Sequence, residues 1–222
     1  MRKLIVICGV IISFASNAQT KGSAIVMRGG YGHSRGTEKL YTDLSEGAVT
    51  KFTNRFSLLG IEFYHKRDKW VASAEATGGT QKARPSGMHS LKPYNGAGHI
   101  RLGYILYEGK EWWFYPSAGI GASMISLSER EKLSGKISKI DDVHMYTPSF
   151  DFGLNMDLLT TKETKNQKRA GGLVLGLRTG YRFSTKSNNW RNSDGAHLNE
   201  SGFRNNEYYL ILVVGGGFFH SK

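Results

Sequence analysis

Between Tyr146 and Leu158 every second residue is apolar: Tyr146, Pro148, Phe150, Phe152, Leu154, Met156 and Leu158. The residues between them are polar or small: Thr147, Ser149, Asp151, Gly153, Asn155 and Asp157. Side chains alternate across a β-strand, so this pattern gives one apolar face and one polar face. Leu173–Phe183 repeats it, with Leu173, Leu175, Leu177, Tyr181 and Phe183 opposing Val174, Gly176, Arg178, Gly180 and Arg182. In Ile100–Leu106, Ile100, Leu102, Tyr104 and Leu106 oppose Arg101, Gly103 and Ile105, with His99 preceding. In Trp112–Met124, Trp112, Phe114, Ala118, Ile120, Ala122 and Met124 oppose Ser117, Gly119, Gly121 and Ser123. Weaker alternation marks Ala24–Tyr31, Ser57–Tyr64 and Trp70–Thr77, and Tyr208–Phe219 is apolar and then glycine-rich. Almost no segment has a helical period. The pattern predicts eight strands.

The connections alternate in length. Long polar segments follow the first, third, fifth and seventh strands: Gly32–Phe56, Gly78–Tyr94, Ser126–Asp142 and Ser184–Glu207. Short turns follow the second and fourth, at His65–Lys69 and Glu108–Lys110, and Thr160–Ala170 is longer, polar and basic. Short turns at one end and long loops at the other are the pattern of a transmembrane barrel. The expected fold is all-β: an eight-stranded antiparallel up-and-down transmembrane β-barrel with both termini on the short-turn side.

A soluble barrel alternates too, with its apolar face inward. Three features favour apolar-out here. The polar face is mostly Gly, Ser, Asn and Thr, which suits a narrow interior. Its charges balance, with Arg28, Arg101, Arg178 and Arg182 against Glu62, Glu75, Asp151 and Asp157. A dry interior requires such pairing, because an unpaired buried ion is expensive. Aromatic residues also gather at strand ends, and Tyr31, Tyr64, Trp70, Tyr107, Trp112, Trp113, Tyr208 and Phe218 are expected as interfacial girdles. The charged interior, with His99 and Asn155, implies a plugged lumen and excludes a porin.

The N-terminus supplies the route to a membrane. Met1-Arg2-Lys3 is basic, Leu4–Phe14 is largely apolar, and Ser16-Asn17-Ala18 offers small residues for cleavage before Gln19. Residues 1–18 are therefore expected to be a signal peptide and residues 19–222 the barrel domain. The apolar run is too short for a spanning helix. Cys8, the only cysteine, falls inside the leader, so disulfide, thiol and cysteine-metal chemistry are not expected in the mature chain. The formal charge of +12 over the full chain fits first a solvated basic surface, and next, for an exported chain, attraction to anionic lipid headgroups or polysaccharide and not nucleic acid.

With strands, loops and leader taken together, the chain resembles the small outer-membrane β-barrels of the OmpA-barrel and OmpX-like type, including the PorT-like barrels common in Bacteroidetes. Barrels of this type carry a C-terminal assembly signal of a glycine followed by alternate aromatics. Gly215, Phe218 and His220 match it in part, and Phe219 is followed by His220-Ser221-Lys222. The resemblance implies a cell outer membrane location. The partners it implies are the lipid bilayer and lipopolysaccharide, the barrel-assembly machinery and other envelope proteins. The expected role is non-enzymatic, structural or interaction-type, without cofactor or metal.

Some barrels of this kind modify lipid A or phospholipids, and that is the alternative reading. Its candidate residues are His33-Ser34, with Asp43 or Glu46 nearby. Adjacent residues on a strand point to opposite faces, which opposes a working pair. The histidines lack metal-ligand spacing. The glycine pairs fit curved strands better than a phosphate-binding loop. Trp190, Arg191 and Phe203 in the last loop are candidate contact residues.

Overall fold

In the computed structural model the alternation becomes eight antiparallel strands closed on themselves. The structure describes residues 20–44, 52–82, 84–86, 89–109, 111–133, 136–161, 170–198 and 202–221. The expected signal peptide lies outside them, as does Glu46. The strands are β1 (Thr20–Arg35), β2 (Arg55–Arg67), β3 (Trp70–Thr80), β4 (His89–Tyr104), β5 (Trp112–Leu133), β6 (Lys136–Thr161), β7 (Ala170–Ser184) and β8 (Asn206–Ser221). Each pairs with its neighbours in sequence, and β8 pairs with β1, so the sheet closes. The order is up-and-down throughout.

The ladder is staggered. From Ala24 it passes to Tyr64, Ser73, Arg101, Gly119, Asp151, Arg182 and Glu207, and returns to β1 at Ser34. That offset of ten residues between Ala24 and Ser34 is the shear a closed barrel needs to tilt its strands by roughly 35–45°. The narrow interior demands close backbone approach. At Gly121 a Cβ would strike the Gly98 carbonyl oxygen, and at Gly215 the Ile25 carbonyl oxygen.

Apolar side chains face outward. Along β8, Tyr208, Leu210, Leu212, Val214 and Phe218 are all exposed, and Leu212 reaches 68%. The eleven residues of Tyr208–Phe218 match the roughly 9–11 a tilted strand needs to cross a bilayer. The same belt carries Ile25 and Met27 on β1, Leu59, Ile61 and Phe63 on β2, and Phe150, Phe152 and Leu154 on β6.

The long-loop side is more regular than the sequence suggests. Ser126–Asp142, expected as a loop, belongs to a β-hairpin in which β5 and β6 stay paired from Ser126↔His144 to Leu133↔Lys136. Gly78–Tyr94 likewise contains the end of β3 and the start of β4. Gly32–Phe56 contains a helix, α1 (Thr37–Leu44). The helix follows Gly36, whose φ of 84° suits glycine. Its first turn is held by Asn54, whose Oδ1 accepts from the Glu38 amide at 2.9 Å and from Thr37 Oγ1 at 3.1 Å.

Candidate functional site

The barrel interior has three layers. At the short-turn end Tyr64, Val71, Ile105, Trp113, Val174 and Phe219 are buried together, with Trp113 and Phe219 rings 5.8 Å apart. Lys66 lies among them with its Nζ 5.7 Å from the Trp113 ring centre. It is held by Glu108 at 2.8 Å and by the Asp68 carbonyl at 2.9 Å. At the opposite end α1 lays Leu40 and Tyr41 over Phe52 and Phe56, with Tyr41 5.5 Å from the Phe52 ring. The Tyr41 hydroxyl donates to the Tyr94 carbonyl at 3.0 Å. Burial pushes its phenol well above the ordinary tyrosine range.

Between these apolar layers sit Arg28, Glu62, Glu75, Arg101, Asp151, Asp157, Arg178 and Arg182, each 6% exposed or less. Strand alternation puts them on the inner face, and the stagger brings distant strands into contact. Arg178 binds Asp157 at 2.7 Å and Glu62 at 3.2 Å. Arg101 binds Glu75 at 2.8 Å and Glu62 at 3.1 Å. Arg28 pairs with Glu75 and stands 3.7 Å from Glu62. Arg182 binds Glu207 at 2.6 Å and Glu75 at 3.1 Å, and its Nε is 3.6 Å from Asp151. Each guanidinium therefore bridges at least two carboxylates. Neutral donors add further hydrogen bonds to several of these carboxylates. Asp157 receives Tyr115 at 2.9 Å and Trp113 at 3.2 Å, Asp151 receives Tyr209 at 2.9 Å, and Glu207 receives Asn95 at 3.0 Å. Arg182 also lies over the Tyr209 ring, 5.3 Å from its centre, and Arg178 over Tyr115 at 5.8 Å. Asn155 donates to the Tyr115 carbonyl and to Ser117.

Sequence reasoning misses Glu207, Lys66 and Glu108. The alternation pattern leaves Glu207 in a loop and Lys66 in a turn, although both continue the parity of their strands: Glu207 with Tyr209 and Ile211, Lys66 with Glu62 and Tyr64.

Of the expected girdle residues, Tyr31, Trp70, Tyr107, Trp112, Tyr208 and Phe218 are on the outside and exposed. Trp70, Tyr107, Trp112 and Phe218 mark the short-turn end, and Tyr31 and Tyr208 the other. Tyr107 stacks on Trp112 at 4.5 Å, and Trp70 meets Tyr104 edge-on at 5.0 Å. Tyr64 and Trp113 correct the expectation, because both are buried inside. The reason is parity. Tyr64 shares a face with Glu62, and Trp113 follows the outward Trp112, so neither can face lipid while those neighbours keep their places.

His33 and Ser34 point to opposite sides. His33 is exposed, whereas Ser34 is buried and its Oγ donates to Asn205 Oδ1 at 2.6 Å. This pair is not a nucleophile with its base. Glu75, His99 and Asp151 bring possible ligand atoms within 4.8 Å of one another. His99 Nε2 lies 2.8 Å from Ser149 Oγ, and both carboxylates are already engaged by Arg101 and Arg182. Such positive surroundings oppose a bound cation.

No family model matches this chain, and no curated protein matches it. Solved structures similar to the chain at low identity include the following three. Ail, the attachment invasion locus protein of Yersinia pestis, is 8% identical with a TM-score of 0.42, covering 91% of this chain and 99% of that one. A major outer membrane protein from Thermus thermophilus is 11% identical with a TM-score of 0.43, covering 90% and 98%. The outer membrane protein OprG from Pseudomonas aeruginosa is 9% identical with a TM-score of 0.36, covering 92% and 97%. The strand ladders, not these likenesses, establish the closed barrel.

Proposed function

We propose that the mature chain spans a bacterial outer membrane as a sealed barrel with a non-enzymatic, structural or interaction role. One observation carries this reading: the molecule is inverted relative to a soluble barrel. Its outer wall is a continuous apolar belt, with Met27, Leu59, Ile100 and Leu212 each about 70% exposed, while Arg28, Arg101, Arg178, Arg182 and their carboxylate partners are inside. Water would make such a surface an aggregation hazard. A bilayer makes it the favourable arrangement.

Export by the expected signal peptide, cleaved before Gln19, and insertion by the barrel-assembly machinery complete the route. The termini then face the periplasm, while α1 and the β5–β6 hairpin face outward. That hairpin and the segment carrying Trp190, Arg191 and Phe203 are the surfaces offered to other envelope proteins or external partners. The segment docks on the hairpin, with Trp190 paired to Met145 and buried.

Fractionation tests the reading. The folded protein should remain in the outer-membrane fraction and change its gel mobility on heating. Recovery as a soluble periplasmic protein would refute it.

A further inference from the structure

Above the apolar belt, at the end carrying α1, the outer face of β1–β5 bears a row of basic residues. His33 pairs in register with Arg55, and Arg35 lies two residues beyond His33 on the same face. Lys82 is exposed just past β3, and Lys92 on β4 and Arg130 on β5 continue the row, both half-buried. Among the described residues, Glu129 precedes Arg130, and Asp142 on β6 pairs with Ser128, the register partner of Lys92.

Tyr94 organises the centre of this row. Its ring lies 5.1 Å from Lys92 Nζ, and its hydroxyl accepts from Arg130 Nη2 at 3.0 Å. One aromatic side chain thus holds two cations at the level where lipid headgroups meet the belt.

Directly below Tyr94 the wall is thin. Gly78 pairs with Gly96, Ala76 with Gly98, and Gly98 with Ala122, all facing outward. Leu59 borders this depression on one side, and Met124 and Tyr146 on the other. The open groove beneath Tyr94 has a volume of about 670 Å³, with Gly78, Gly79 and Gly96 along its floor and Asp142 and His144 on its polar rim.

We propose that this face holds a phosphorylated lipid of the outer leaflet, with its phosphate between Lys92 and Arg130 and an acyl chain in the glycine groove. The inference rests on the reading of the chain as an outer-membrane barrel. The cations complement the phosphate, and the groove complements the chain.

The test uses the full mature barrel in detergent, with bisphosphorylated lipid A and its dephosphorylated form as probes in native mass spectrometry. The bisphosphorylated form should be retained preferentially. The K92A/R130A variant should lower its retention by about tenfold or more, since each basic contact to an anionic headgroup contributes. Gly78→Leu with Gly96→Leu fills the groove and should lower retention of both lipids. A Cβ at Gly78 meets nothing within 4 Å, and one at Gly96 meets Met124 Cε at 3.5 Å and the Thr77 carbonyl oxygen at 3.7 Å, both ordinary contacts, so the ladder survives. The heat-induced mobility shift verifies that each variant is folded. Equal retention of the two lipids, or unchanged retention in both variants, overturns the proposal. So does a detergent-stable dimer that Gly78→Leu dissolves, which would give the groove to a second copy. Loss of the mobility shift in the unmutated protein would instead defeat the membrane-barrel reading itself.

Discussion

Asp157 is fully buried and accepts from Arg178, Tyr115 and Trp113. Replacing it with alanine leaves Arg178 dependent on Glu62 and leaves two neutral donors without their acceptor. Breaking a buried pair on one side costs about 3–5 kcal/mol, so Asp157→Ala should lower the denaturant midpoint of the barrel folded into vesicles by a corresponding amount. Met27→Ala, on the lipid-facing wall, should lower it by much less. At this scale the sequence is legible where parity can be followed. Arg28, Glu62, Glu75 and the other lumen charges follow from counting by twos along each strand. Tyr64 and Trp113 are misplaced when aromatic identity overrides that count. Which arginine meets which carboxylate is not legible, because Glu62 meets Arg178 across 116 residues of sequence.

Between residue and barrel stands α1. Eight residues with Leu40 and Tyr41 as its buried contacts are too few to announce a helix by periodicity. Its cap, Asn54, arrives from the other side of the loop, so no local motif reveals it. Asn54→Ala should cost about 1 kcal/mol, read as faster amide exchange in residues 37–44 with the barrel itself unaffected. Tyr41 gives this element a pH dependence. Its phenol is raised by burial, so the folded cap favours the protonated form. The stability this contributes is complete below the free tyrosine value of about 10 and falls as pH rises above it. Hydrogen exchange of α1 between about pH 9 and 11, a window spanning that value, should show the cap loosening, corrected for intrinsic exchange, and Tyr41→Phe should abolish the Tyr41-dependent part. The β5–β6 hairpin escapes sequence reasoning for a different reason. Beyond Met124 the apolar positions change parity: Ile125 and Leu127 are buried while the outward positions turn polar, so the outward apolar register that marks the strand stops although the ladder continues.

Across the whole molecule, eight strands enclose a lumen that side chains fill in three layers. Reconstituted into a planar bilayer, the protein should produce no stable conductance steps at moderate voltage. Reproducible unitary currents would show a continuous path past the Arg178–Glu62 contacts. The eight-strand closure is legible from strand count and loop lengths. The stagger of the ladder is not, because register depends on pairing between strands and leaves no mark on either strand alone.

The seam between β1 and β8 has a consequence for how the molecule is made. Arg28 comes from the first strand and Glu207 from the last, and their partners Glu75 and Arg182 lie on strands in between. An open sheet entering lipid would present these ions to hydrocarbon one by one. Closing the seam shields them together and completes the pairing. Closure is therefore the step that separates a tolerated molecule from a rejected one, and the ionic core acts as a checkpoint on assembly: a chain that fails to join its two ends carries its own barrier to remaining in the membrane.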